Sequence, residues 1–196
     1  MKKIIAVSCA FILGLSCKKE QSAVAPPPGK PVTIFTRQIP PAFTGNDGTG
    51  GIELGMKFQS LAGGSLTGIR FYKTASNTGI HTAQLYSADG ILLASKTFTN
   101  ETDSGWQQVY FDNAVQIVAN TTYIAAYHSS LGNYSSTVSG LKTEIINGPL
   151  TALADGEDGT NGLYKYTDSP CLPDNGYNSS DYWVDVVFVQ GTWDTY

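Results

Sequence analysis

From residue 31 onward the chain alternates apolar and polar positions with a period of two, and helical periodicity is almost absent. In "GIELGMKFQ", Ile52, Leu54, Met56 and Phe58 share one face. In "TGIRFYK", Ile69 and Phe71 oppose Arg70 and Tyr72, and "HTAQLYS" sets Ala83 and Leu85 on one side. "ADG" (88–90) reads as a hairpin turn into "ILLASKTF". "WQQVYF", "VQIVANTTYIAAYH" and "YWVDVVFVQ" complete the set, the last placing Tyr182, Val184, Val186 and Phe188 against Trp183, Asp185, Val187 and Val189. Gly, Asn, Asp and Ser clusters separate these runs closely, leaving no room for crossover helices. The pattern predicts an all-β, two-sheet β-sandwich of jelly-roll or immunoglobulin-like kind, with long irregular loops in its C-terminal half. "LTALADG" is expected to form one short helical turn. The least regular stretch, Leu141 to Asp181, is rich in Gly, Asn, Asp and Tyr. Loops of that kind on a rigid scaffold are where binding residues usually sit.

The first thirty residues follow another pattern. "MKKIIAVSCAFILGLSCKKE" joins a basic start to an apolar run too short to span a bilayer, which predicts a signal peptide over 1–16. Small residues before Cys17 resemble a bacterial lipobox, with Cys17 as the lipidated residue, and "SCKKE" looks like lipoproteins of the Bacteroidetes. Residues 17–31, which contain three consecutive prolines, form a tether with a reach of about 40 Å. A single domain is expected over 32–196. The expected location is the bacterial cell envelope, at the outer membrane, with membrane contact through the N-terminal lipid only.

Charge and cysteine use narrow the field. Of the 16 acidic residues only Glu20 precedes Pro31, whereas the basic residues after it are Arg37, Lys57, Arg70, Lys73, Lys96, Lys142 and Lys165. An acidic domain without a basic stripe excludes nucleic acid as a partner. Cys9 leaves with the signal and Cys17 carries lipid, so Cys171 has no partner for an internal disulfide. The sequons at Asn100, Asn120, Asn133 and Asn178 read as turn chemistry in a bacterial chain.

Candidate chemistry is sparse. The only histidines are His81 and His128, and no zinc motif or GxSxG elbow occurs. Cys171 lacks the signature of an oriented base and reads as a thiol packed under a loop. "ADGEDGTNG" supplies Asp155, Glu157 and Asp158 as hard oxygen donors suited to a structural calcium ion, with solvated Asp-Gly turns as the competing account. "NETDSG" supplies Asn100, Glu101 and Asp103, read as a hairpin or inter-sheet turn with Trp106 as a packing anchor. The C-terminal half also concentrates Tyr134, Tyr164, Tyr166, Tyr177, Tyr182, Trp183 and Trp193. Exposed rings stack on the apolar faces of sugars while polar neighbours read the hydroxyls, and in a core the same rings only pack. Tyr164 and Tyr166 are expected to be the exposed platforms, with Asn161 and Asp158 as polar readers.

The order of "IELGMKF", "GSLTGIRFYK", "NTGIHTAQLYSADGILLASKTFTNETDSGWQQVYF", "VQIVANTTYIAAYH", "NGLYKY" and "YWVDVVF" resembles one family, the bacterial extracellular domain of unknown function 4082. The resemblance runs from about Phe35 to Val189. It implies a β-sandwich module of secreted bacterial proteins, often found beside immunoglobulin-like repeats or carbohydrate-active catalytic domains, with no activity of its own assigned. Together these readings predict a non-catalytic surface lipoprotein that binds a carbohydrate or other extracellular ligand. The alternative is a structural or protein-interaction subunit of a cell-envelope assembly. A glycan-active hydrolase or lyase using Glu101, Asp103 or His81 ranks last.

Overall fold

The period-two runs become strands because each buries one side chain face and leaves its backbone free to pair with a neighbour. The computed structural model describes residues 29–40, 44–46 and 50–191; the predicted signal, Cys17 and Trp193 lie outside the described residues. In chain order the strands are β1 (Thr44–Asn46), β2 (Ile52–Ser60), β3 (Gly64–Lys73), β4 (His81–Ser87), β5 (Leu92–Thr97), β6 (Gly105–Ile117) and β7 (Tyr123–Ser129). They continue as β8 (Asn133–Ser135), β9 (Ile145–Asn147), β10 (Leu150–Ala152), β11 (Leu163–Tyr166), β12 (Asn175–Gly176) and β13 (Val184–Gln190). No helix occurs among the described residues. The expected helical turn at "LTALADG" is instead strand β10, which pairs through Leu150↔Ser60 and Ala152↔Phe58 with an open edge of β2. A ladder there satisfies backbone groups that a single helical turn would leave unpaired.

Two antiparallel sheets face each other. The larger runs β12-β11-β2-β7-β4-β5, with β10 and β9 added beside the second half of β2; the smaller runs β13-β3-β6, and β1 and β8 form a separate pair. Ile52, Leu54, Met56 and Phe58 of β2 point inward as their alternation requires, and all are buried. They meet Ile69 and Phe71 of β3 and Val184, Val186 and Phe188 of β13 in one core. At its centre Phe71 stacks on Tyr127 at 4.4 Å between ring centroids and meets Phe98 edge-on at 4.9 Å. "ADG" is the β4–β5 turn, with Gly90 at φ 82°. Of the two readings of "NETDSG", the inter-sheet turn is the observed one, since β5 lies in the large sheet and β6 in the small.

Asn161 solves a local problem in the large sheet. The same edge of β2 pairs with β11 as far as Gly55 and with β10 from Phe58, so Lys57 falls in the gap. The Asn161 Oδ1 accepts the Lys57 N–H at 2.7 Å, and its Nδ2 donates to the carbonyls of Lys57 at 3.0 Å and Leu153 at 2.7 Å. One buried amide thus stands in for a missing stretch of strand. Asn161→Ala is expected to lower stability by about 2 kcal/mol, because it strands several buried backbone groups. Urea denaturation checks this; a loss within experimental error would show that water replaces the amide.

Candidate functional site

Alternation along β11 sends Tyr164 and Tyr166 to one face and Lys165 to the other. Tyr164 and Tyr166 meet edge-to-face at 5.5 Å, Tyr164 meets Tyr182 at 6.5 Å, and Tyr182 meets Tyr134 at 5.7 Å. These four rings form a continuous herringbone, a favourable arrangement for aromatic quadrupoles. Together with Tyr177 they line a cleft of about 430 Å³, completed by Ser136 and Ser180 and by Ile52 and Val138. Tyr166 is 48% exposed and Tyr177 57%, so they form the rim, whereas Tyr134 and Tyr182 are buried at the base. Tyr134 is backed by β1, where a Cβ on Gly45 would sit 2.3 Å from the ring. Only glycine permits that contact.

The walls are strained and heavily tied. Ser139, Asn178, Ser179 and Trp183 all hold left-handed backbone (φ 60°, 48°, 50° and 56°). For a residue as bulky as Trp183 this costs on the order of 1–3 kcal/mol and persists only where the surroundings enforce it. Here they do. Ser139 N–H donates to the Asn178 carbonyl at 3.0 Å and Leu141 N–H to that of Ser179 at 2.8 Å, while Thr137 and Asp181 exchange two backbone bonds. Trp183 N–H donates to Asp181 Oδ1 at 2.7 Å and its indole N–H to Thr137 Oγ1 at 2.9 Å. Asp181 is buried between two lining residues, and burial pushes its carboxyl up to about 7 against the pull of the Trp183 N–H. The result is a cleft set before any ligand arrives.

Of the residues singled out in the sequence, Tyr164 and Tyr166 lie in this cleft, and Asn161 and Asp158 do not line it. Asn161 is buried with its amide fully engaged, so it has no group to offer a ligand. Asp158 accepts from the Thr122 hydroxyl, and its carbonyl accepts from Lys57 Nζ at 2.5 Å. The acidic loop does not assemble as a cation site either. Asp155 accepts from Asn161 N–H and the Ser179 hydroxyl, which together hold its carboxyl below the usual range, and Glu157 accepts from Ala154 N–H. Each carboxylate is taken up by hydrogen bonds within the fold, and among the described residues no three acidic, His or Cys side chains are grouped to hold a metal ion. Asp155 does contribute indirectly, by fastening Ser179 in the cleft wall. Sequence reasoning noted Tyr134, Tyr177 and Tyr182 only as aromatics and missed Ser136, Val138 and Ser180; their convergence depends on pairings far apart in the chain.

With that geometry in place, comparison with known families is decisive. The family model described as "Domain of unknown function (DUF4082)" matches residues 38–184. The chain belongs to the DUF4082 family. No curated protein matches it significantly. The match spans the strands from β1 to the start of β13 and therefore every lining residue of the cleft.

Two buried polar clusters in this DUF4082 domain lie outside the cleft. In the first, Glu101 of "NETDSG" accepts from Lys73 Nζ at 2.8 Å and from His81 Nδ1 at 2.9 Å. Burial holds the His81 imidazole below its ordinary pKa despite the Glu101 charge beside it. Glu101 and His81 are thus engaged in ordering the inter-sheet turn. The second lies on the outer face of the large sheet, where Glu53 of β2 and His128 of β7 are direct cross-strand neighbours. Their closest approach is 3.5 Å, from His128 Nδ1 to Glu53 Oε2, and the Cys171 N–H also donates to Oε2, at 3.4 Å. Burial drives the Glu53 carboxyl up to about 7, with His128 and then the Cys171 N–H opposing it. The covering layer is the β11–β12 loop, which carries Cys171, rests Pro173 on Gly55, and is clasped by Lys165 Nζ on Asp174 Oδ2 at 2.7 Å. Burial also raises the Cys171 thiol, which keeps it protonated and a weak nucleophile at neutral pH.

Proposed function

We propose that this DUF4082 domain is a non-catalytic carbohydrate-binding module, held at the cell envelope by a lipid on Cys17, with the tyrosine cleft as its binding face. The observation that carries the reading is the convergence of five tyrosines, two of them on the rim, on a single preorganised cleft. Its volume lies within the roughly 300–1,000 Å³ usual for ligand sites. Ring faces and hydroxyls in alternation match the amphipathic surface of a sugar. Among the described residues no carboxylate lines the cleft. A glycosidase would need two of them flanking the bond it cleaves, so binding without hydrolysis is the simpler function.

Isothermal titration calorimetry after a glycan-array screen tests this. Tyr166→Ala and Tyr177→Ala are each expected to weaken binding about tenfold, the equivalent of about 1.4 kcal/mol, with unchanged circular dichroism. Absence of binding to any saccharide, or full affinity in both variants, would sink the reading. The alternative of a protein-interaction subunit has one feature in its favour, the exposed apolar run Ile91, Leu92 and Leu93 at the β4–β5 hairpin on a sheet edge. It predicts a complex that Leu92→Lys breaks and that saccharides leave untouched.

A further inference from the structure

We infer that the cleft selects uncharged saccharides and rejects uronate-bearing or sulfated ones. This rests on the carbohydrate reading above and adds the chemical class. Among the described residues, every polar side chain in the lining is a hydroxyl, from tyrosine or serine, and no Arg, Lys, His, Asp or Glu contributes. A carboxylate or sulfate entering such a cleft would lose its hydration without gaining a charged partner. Hydroxyls can donate to an anion, but they do not repay its desolvation as a guanidinium or ammonium does.

The nearest cation in sequence is turned away. Lys165 stands between Tyr164 and Tyr166 on β11, so its side chain leaves from the opposite face, where Asp174 holds it at 2.7 Å. The carboxyl nearest in sequence is that of Asp181, buried between Ser180 and Tyr182 in the chain and committed to the Trp183 N–H. As a neutral acid it supplies no positive charge, and as a carboxylate it repels an anion. The whole chain carries a formal charge of −4, which works against polyanion encounter in the same direction. Neutral rings lose nothing on entry. Their apolar faces stack on the tyrosines, and their hydroxyls exchange water for Ser136, Ser180 and the phenols.

The test uses a matched pair: the neutral polysaccharide that binds most tightly in the screen, and the same polymer after oxidation of its primary hydroxyls to carboxylates. Calorimetry is expected to show at least about tenfold weaker binding of the oxidised polymer, largely preserved at high salt because desolvation is not screened. Val138→Lys, at an exposed lining position, is expected to narrow that gap by supplying the missing cation. Equal affinity for both polymers overturns the inference, as does a gap that Val138→Lys leaves unchanged. Tyr166-dependent binding of polyanions alone, such as alginate or chondroitin sulfate, overturns the selectivity and leaves the carbohydrate reading standing. Binding of no polymer removes both.

Discussion

Replacing Asp185 with alanine is expected to cost about 3–5 kcal/mol of folding stability. Its carboxylate is fully buried on the outer face of β13 and organises three separate elements. Oδ1 accepts the N–H groups of Ile34 at 2.8 Å and Val186 at 2.7 Å. Oδ2 accepts Phe35 N–H at 3.2 Å and the Arg70 guanidinium at 2.6 and 3.0 Å. Arg70 in turn donates to the Phe35 carbonyl and lies 4.2 Å over the Trp106 ring. Phe35 packs between Trp106 and Trp183. Burial raises the Asp185 carboxyl even with Arg70 pulling the other way, so the ion pair is held at a desolvation cost that its hydrogen bonds offset. Removing the acid leaves a largely buried guanidinium and unpaired amides, and frees residues 32–35 from β13. Asp185→Asn, which keeps one acceptor, is expected to lose less. Urea denaturation gives the magnitude, and a red shift in tryptophan emission reports loss of Phe35 from the indole pair. A loss below about 1 kcal/mol would mean the clamp contributes only local order.

That clamp shows where the sequence was legible and where it was not. Period two placed Asp185 on the face opposite Val184 and Val186, which is where it lies, but an outward acid reads as a solvated one. What buries it is residues 32–35, some 150 positions earlier, and no local pattern announces their return. Glu53 repeats the case on the other sheet, covered by the β11–β12 loop. The inward faces, by contrast, followed from alternation alone, since one buried face fixes the register of a whole strand. Three of the four sequons read as turn chemistry do sit in turns, since Asn100, Asn120 and Asn178 hold positive φ, the conformation asparagine tolerates best after glycine, whereas Asn133 opens strand β8. The cleft was half legible. Tyr164 and Tyr166 could be picked because they alternate within a Gly- and Asn-rich loop. Tyr134, Tyr177 and Tyr182 join them only through the folding of β8, β12 and the approach to β13. Asn161 looked like a ligand reader for the same reason that it is a strand substitute, since its amide donates and accepts at once.

The domain is expected to be more stable at pH 5 than at pH 8, the reverse of a protein whose carboxylates are stabilised by ion pairs. Glu53 and Asp181 set the sign, both raised to about 7 by burial from ordinary values of 4.5 and 3.8. Below about pH 4 both are protonated, folded or unfolded, and contribute nothing. As pH rises toward 7 the unfolded chain releases these protons while the native state keeps them, so stability falls by one proton's worth per group and levels off above 7. Each full shift corresponds to on the order of 3 kcal/mol. Asp185, raised in the same sense, adds to the trend. His81 opposes it: its lowered pKa contributes stability that is present above about 6.5 and is lost on acidification, but it is one group against the carboxylates. Urea midpoints are expected to decline from pH 5 through 7 and to flatten between 7 and 8. Glu53→Gln, which keeps the shape of the acid without its charge, is expected to flatten the slope and raise stability at pH 8 by up to about 3 kcal/mol. Stability that climbs from pH 5 to 8, or a slope identical in Glu53→Gln, would show that water or His128 compensates the buried charge. The same titration bears on the cleft. The loop over Glu53 joins β11 to β12, so the rim tyrosines Tyr166, which ends β11, and Tyr177, which follows β12, flank the cover and feel any loosening of it.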